Sequence, residues 1–180
     1  MPLFNLPNQL TLLRILMTPL FVILILYDRR GLALTTFCLA ALTDVLDGFI
    51  ARTWKEKTRL GMILDPLADK LLLTSAFVTL AFFLKELPRW LCIIVVSRDL
   101  FLIGGSLLIF MFTGKLGLPP SIFGKLATTT QLLTVLNSML DNFIIPLQKA
   151  QFPLVLITAF ITIISGLDYI FRGTRLLSVE

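Results

Sequence analysis

The sequence predicts an all-α integral membrane protein with six transmembrane helices, and three observations carry that expectation. Of the 180 residues 57% are hydrophobic, with a mean hydropathy of +0.92. A soluble domain is about half apolar even when glycine is counted. Six apolar runs, roughly 10 to 28, 32 to 51, 61 to 84, 88 to 112, 121 to 145 and 152 to 171, are each long enough for a hydrocarbon core that needs about 20 helical residues. The breaks between them (DRRG, ARTWKEKTR, KELPR, TGKLGLPPS and PLQKAQ) are short. Residues 1–180 therefore read as a single membrane domain with no linker, soluble appendage or internal repeat.

Residues 1–9 are expected to form a short interfacial segment, with Pro2 and Pro7 ahead of the first apolar run and Asn8 as its N-cap. That run is long, contains Arg14 and is followed by no small-residue cleavage site, so it is expected to stay as helix 1 rather than act as a cleavable signal. Helices 2 and 3 are joined by 52-RTWKEKTRL-60, a basic loop of the length that connects antiparallel neighbours, which predicts a helical hairpin. Helix 4 carries the ionisable pair of 97-SRD-99, helix 5 starts near Ser121, and helix 6 closes the bundle.

Lys and Arg set the orientation. With the N-terminus inside, the cytoplasmic ends hold Arg52, Lys55, Lys57, Arg59, Lys115, Lys125, Arg172 and Arg175, against Arg29, Arg30, Lys85, Arg89 and Lys149 on the other face. That bias places both termini in the cytoplasm. The net charge of +5 points to anionic lipid headgroups. No soluble basic module supports a nucleic-acid partner. Cys38 and Cys92 fall inside predicted spans with no disulfide or metal spacing and are expected to be small core residues. Histidine is absent, which excludes the lipid phosphatases and phospholipase-D-like transferases that need it.

Against this apolar background, 44-DVLDGFIARTWKEKTRLGMILDPLADK-70 holds Asp44, Asp47, Asp65 and Asp69. Folding helices 2 and 3 about residue 56 or 57 sets Asp47 level with Asp65 and Asp44 level with Asp69. The spacings, i and i+3 then i and i+4, put each pair on one helical face. Two unit charges 4 Å apart interact by about 4 kcal/mol at an effective dielectric of 20. Four carboxylates around one small volume therefore require positive charge. Too few lysines and arginines share these faces, so divalent cations are the economical answer, and an all-oxygen ligand set indicates Mg²⁺ or Mn²⁺.

Two such ions suit phosphoryl chemistry, with a carboxylate at the edge as general base. Gly48 and Gly61 allow close backbone approach, Ala51 keeps the face small and Arg52 offers a fork for phosphate, which together describe a nucleotide-diphosphate pocket. The bland alternative is that the aspartates are helix caps and loop-edge charges. A second alternative, a proton or cation pathway of a transporter, also places acids inside a membrane.

Written out, Asp44-x2-Asp47-Gly48-x2-Ala51-Arg52-x8-Gly61-x3-Asp65-x3-Asp69 resembles the complete signature of the CDP-alcohol phosphatidyltransferases at all eight fixed positions. Less specific similarity extends through 5-NLPNQLTLLR-14, 97-SRD-99 and 124-GKLATTTQ-131. The resemblance implies a six-helix homodimer in the bacterial inner membrane that moves a phosphatidyl group from CDP-diacylglycerol to an alcohol and releases CMP. Its active site would lie between helices 2 and 3 at the cytoplasmic side.

By the same resemblance, Asp44, Asp47 and Asp65 hold one metal ion and Asp44, Asp65 and Asp69 a second, with Asp69 as the base for the acceptor hydroxyl. Gly48, Arg52 and Thr58, together with Asn8 and Thr11, match positions that contact the CDP moiety. Length and N-terminal pattern are most similar to members that use sn-glycerol 3-phosphate, an anion for which Arg98, Lys115 and Lys125 would supply a basic subsite. Arg98 is either balanced by Asp99 or meets a ligand phosphate. Many of those members carry a second arginine two turns after the first, where this chain has Ser106. The SRD context, 42-LTDVLDGFIAR-52 and 65-DPLADK-70 also resemble members whose acceptor is phosphatidylglycerol.

Overall fold

The six expected helices are present in a computed structural model that describes residues 6–54, 61–113, 121–141 and 148–177. Within these helices the side chains of residues 6–8, 45–54, 61–66, 109–110, 112–113, 148 and 176–177 are not described. The helices are α1 (Leu6–Leu26), α2 (Arg30–Trp54), α3 (Gly61–Val78), α4 (Arg89–Thr113), α5 (Ile122–Leu140) and α6 (Gln148–Leu177). A π-helical turn, Thr79–Phe83, prolongs α3. No strand occurs among the described residues.

Among the described residues, three helices are long and apolar enough to cross a membrane, over Gln9–Leu26, Arg89–Leu108 and Lys149–Arg175. Their exposed surfaces are oily, with Leu16, Phe101 and Phe160 all facing outward, whereas Thr11, Arg14, Arg98, Gln131 and Thr162 are buried. Apolar groups outside and polar groups inside suit a surrounding lipid solvent, in which polar groups need partners within the protein. The chain is an integral membrane protein.

The helices group into two compact units, residues 1–83 and 84–180. In the first, α1 packs extensively on both α2 and α3, which touch each other only sparsely. The expected α2–α3 hairpin is therefore not a tight pair; α1 serves both partners. The cause is legible in α1, where the buried Thr11, Arg14, Thr18, Phe21 and Ile25 recur at alternating spacings of three and four. Such spacing lines one face of a helix. Ala33, Phe37 and Ala40 of α2 and Ala68, Leu72, Ala76 and Phe77 of α3 complete the core. Phe21 and Phe37 meet with ring centroids 5.6 Å apart, a tilted aromatic contact.

Two local readings change. Helix α1 begins at Leu6, so Asn8 lies in its first turn instead of capping it, and Pro7 is tolerated there because early N–H groups lack helical partners. Cys92 is buried as expected, but Cys38 is exposed, since position 38 falls off the 33, 37, 40 stripe. At the end of α1, Asp28 adopts φ 55° and the Arg29 N–H reaches Leu24 O at 2.8 Å while the Asp28 N–H reaches Ile25 O at 3.0 Å. This is the hydrogen-bond pattern of a Schellman stop.

In the second unit α6 is the shared helix, packed on α4 and on α5. Its buried face reads Val155, Thr158, Thr162 and Ser165, again at spacings of three and four. Hydrogen bonds join the helices of this unit. Gln131 Nε2 donates to Thr162 Oγ1 at 3.2 Å, and the Thr134 and Thr158 hydroxyls are 2.7 Å apart. Asn137 donates to Gln151, and Thr158 also donates to Thr130 O at 3.2 Å. Ser121 caps α5 by accepting from the Gly124 N–H at 2.9 Å, where the sequence placed the helix start. On the α4 side, Ser106 Oγ and Tyr169 OH are 3.0 Å apart, and Tyr169 lies across Gly105.

Interhelical hydrogen bonds in a membrane average about 0.6 kcal/mol and reach roughly 1.7. Thr158→Val removes two of them and keeps the shape, so it is expected to destabilise the protein by about 1 kcal/mol in a lipid-mimetic unfolding titration. A Cβ at Gly105 would sit 2.7 Å from Tyr169 Cε1. Gly105→Ala is accordingly expected to cost about 1–3 kcal/mol by overpacking, and Gly105→Ala with Tyr169→Leu to recover most of it in the same titration.

Candidate active site

Arg14, Asp44 and Asp69 converge in the first unit. Arg14 lies in the early part of α1, Asp44 in the later half of α2 and Asp69 in the early half of α3, so the N-terminal halves of α1 and α3 meet the C-terminal half of α2. The Arg14 Nη1 atom is 2.8 Å from Asp44 Oδ1 and 2.6 Å from Asp69 Oδ1. One nitrogen thus bridges two carboxylates from two helices. Arg14 is completely buried, whereas the Asp44 and Asp69 side chains are 44% and 38% exposed. The arginine forms the floor and the carboxylates the rim.

Buried charge needs a partner, because removing one member of a buried pair costs about 3–5 kcal/mol. Arg14 has two acidic partners, and a charge-assisted bond is about twice as strong as a neutral one. Lysines and arginines are too few on the faces of helices 2 and 3 themselves to balance the aspartates. Arg14 comes from a third helix, so a search of those two faces misses it. Its signal was in the sequence all the same: an arginine inside the first long apolar run, at the end of 5-NLPNQLTLLR-14.

The pairing of Asp44 with Asp69 at one level has its counterpart in their shared contact. Asp47, Gly48, Ala51 and Arg52 lie on α2, Gly61 and Asp65 on α3 and Asn8 on α1, with side chains outside the described residues. Thr58 and Lys115 lie outside the described residues altogether. No group of three or more potential metal-binding side chains occurs among the described residues, a set that lacks Asp47 and Asp65. Thr11, an expected CDP contact, is fully buried one turn before Arg14.

A divalent cation fits this locus on two grounds. Two carboxylate oxygens already close to within hydrogen-bonding distance of a single cationic atom, and both side chains keep solvent-accessible surface on the open side. The donors are all oxygen, which suits Mg²⁺ or Mn²⁺.

The expected acceptor residues fall in the second unit. Arg98 is buried in α4, with Nη1 2.8 Å from Asp99 Oδ1 and Nη2 2.6 Å from Ser165 Oγ on α6. The contact with Asp99 accounts for one of the guanidinium's nitrogens. Its Nε has no hydrogen-bond partner among the described residues. Gly124 of α5 lies so close that a Cβ there would be 3.3 Å from Arg98 Nη2, and the neighbouring Lys125 is exposed. Sequence reasoning did not single out Ser165; its place on the buried α6 stripe is the available signal.

Comparison with known proteins agrees with the aspartate pattern. The family model for CDP-alcohol phosphatidyltransferase matches residues 4–164. The chain is 32% identical to the CDP-diacylglycerol--glycerol-3-phosphate 3-phosphatidyltransferase of Bacillus subtilis, covering 98% of this chain and 99% of that one. It is 35% identical to the protein of the same name from Aquifex aeolicus, with the same coverage. It is also 31% identical to human cardiolipin synthase (CMP-forming), over 98% of this chain and 64% of the human one. The eight-residue aspartate signature, the helical membrane architecture and the match over most of the length agree, and the chain belongs to the CDP-alcohol phosphatidyltransferase family.

Proposed function

We propose that the protein transfers the phosphatidyl group of CDP-diacylglycerol to sn-glycerol 3-phosphate and releases CMP, as a step of phospholipid synthesis in the bacterial inner membrane. The observation that carries the chemistry is the convergence of Asp44 and Asp69 on one cationic atom. The choice of acceptor is supported by the names of the Bacillus and Aquifex relatives, which match nearly end to end. All six helices cross the membrane in this reading, with both termini cytoplasmic, residues 1–9 interfacial and the whole chain acting as one domain within a homodimer.

The active site lies between α2 and α3 at the cytoplasmic side. Asp44, Asp47 and Asp65 would hold one divalent ion, and Asp44, Asp65 and Asp69 a second, Mg²⁺ or Mn²⁺. Ions bound there neutralise the diphosphate oxygens and stabilise CMP as the leaving group. Asn8, Thr11, Gly48, Ala51, Arg52, Thr58 and Gly61 bind the CDP moiety; the glycines admit it close to the backbone and Arg52 donates to phosphate. Asp69 takes the proton from the acceptor hydroxyl. With Oδ1 held by Arg14, the proton goes to Oδ2. The hydroxyl then attacks the phosphorus attached to diacylglycerol. Arg98, Lys115 and Lys125 bind the acceptor's phosphate, and Ser165 holds Arg98 by its second nitrogen.

A second acceptor, phosphatidylglycerol, is favoured by a separate observation. Ser106 bonds to Tyr169, so α4 presents a neutral pair two turns beyond Arg98 instead of another charge. The similarity to human cardiolipin synthase points the same way.

Purified protein given CDP-diacylglycerol, Mg²⁺ or Mn²⁺ and both acceptors together is expected to form phosphatidylglycerophosphate, identified by mass spectrometry of the lipid product. Cardiolipin alone would reverse the ranking, and no CMP release with any alcohol would sink the enzymatic reading. Asp69→Asn is expected to lower turnover by about 10²–10⁴-fold, the range of a lost general base, while CDP-diacylglycerol still binds in an equilibrium assay. Loss of binding and turnover together would make Asp69 chiefly a metal ligand.

A further inference from the structure

We infer that Arg14 is a positioning residue for the metal-binding carboxylates: a permanent cation, supplied by α1, that aims Asp44 and Asp69 at one locus before any divalent ion arrives. The inference rests on the reading of these aspartates as metal ligands and assigns to the site a residue that lies outside the aspartate signature.

The geometry carries the argument. Asp44 and Asp69 are on helices that touch only sparsely, so α2 and α3 packing does not by itself fix the separation of the two carboxylates. Arg14 Nη1 does so directly, through contacts of 2.8 and 2.6 Å from a helix that packs on both. The guanidinium is itself immobilised. It is fully buried, and the face that carries it continues into Thr18, Phe21 and Ile25, all buried. An arginine so placed cannot swing out to water, and its charge persists at every physiological pH. It holds one oxygen of each carboxylate and leaves each group's exposed side toward the open rim, where a metal ion would be taken up.

Electrostatics argues for the same role. Without Arg14, two carboxylates from two helices would face each other in a membrane protein without the cation that joins them, and each would relax away from the other. A ligand pair that has splayed must be drawn together when metal binds, and that reorganisation weakens affinity. Groups that hold metal ligands in place have this effect elsewhere, and their loss costs about 10–100-fold in metal affinity. Arg14 also changes the balance of the loaded site. Two divalent ions neutralise four carboxylates, and the buried arginine adds one positive charge beside a locus read as binding a diphosphate.

The test measures metal binding without turnover. The full-length protein in phospholipid nanodiscs is stripped with chelator and titrated with Mn²⁺ alone, free Mn²⁺ being read by electron paramagnetic resonance. Arg14→Gln is expected to weaken Mn²⁺ binding by about 10–100-fold. Arg14→Lys keeps the charge on a shorter side chain that cannot span both carboxylates, and is expected to weaken it several-fold.

Phe21→Leu, on the same buried face two turns away, is the structural control: it should lower the unfolding temperature and leave Mn²⁺ affinity unchanged. If Phe21→Leu weakened Mn²⁺ binding as much as Arg14→Gln, the effect would be general loosening and the positioning role would be overturned. Wild-type or tighter affinity in Arg14→Gln, or in Arg14→Lys should the glutamine variant fail to fold, would overturn it as well. If the wild-type protein bound no Mn²⁺, the metal reading of the aspartates would itself be wrong, a result distinct from equal binding by wild type and variant.

Discussion

A single buried guanidinium organises the first half of the chain. Arg14 sits in the first of the long apolar helices, where an unpaired charge is costly by any measure, at least about 2.5–3.5 kcal/mol at the centre of a membrane helix. Its partners come from two other helices, one carboxylate each. Satisfying that charge requires α2 and α3 to lie on either side of α1 at matched depth, so the functional geometry and the packing arrangement are the same constraint. The buried apolar residues behind it, with Phe21 of α1 against Phe37 of α2, support the register in which that pairing occurs.

The second half solves the same solvent problem with hydroxyls and amides. Lipid gives helices no hydrophobic reason to associate, and side-chain hydrogen bonds between them take over part of that role. Gln131, Thr134, Thr158 and Thr162 form such a ladder, and Arg98 extends the principle by pairing with Asp99 and Ser165. Shared helices organise both halves: α1 touches α2 and α3, and α6 touches α4 and α5.

Much of this was legible in the sequence, for reasons that differ by residue. Helix number followed from run length against bilayer thickness, and the first four expected runs match a helix within about four residues at either end when the π turn is counted with α3, whereas α5 ends at Leu140, five residues before the end of its run. The sixth run starts at the right place within that margin but its helix continues to Leu177, because Arg172 and Arg175 are polar residues on a continuing helix and carry no stop signal. Asp44 and Asp69 could be paired from spacing alone, since antiparallel helices of equal pitch keep equal distances from their turn level.

What spacing could not show was the partner from elsewhere in the chain. Arg14 is thirty residues from Asp44 in sequence, and nothing local to either helix announces it. The hairpin expectation has a related limit: loop length says that α2 and α3 are antiparallel, but not that a third helix packs on both of them. Cys38 shows the same limit at small scale, because the choice between 37 and 38 as the inward position depends on what α2 packs against.

The central position of α1 also bears on how the protein is made. A chain threaded into the bilayer from its N-terminus presents Arg14 first, before either acidic partner has been synthesised. The first helix must therefore wait at the insertion machinery or snorkel its guanidinium toward the headgroups until α2 and α3 arrive. Arrival of the third helix completes the charge pairing, so for this chain Arg14 gains both acidic partners before α4, α5 and α6 have been inserted.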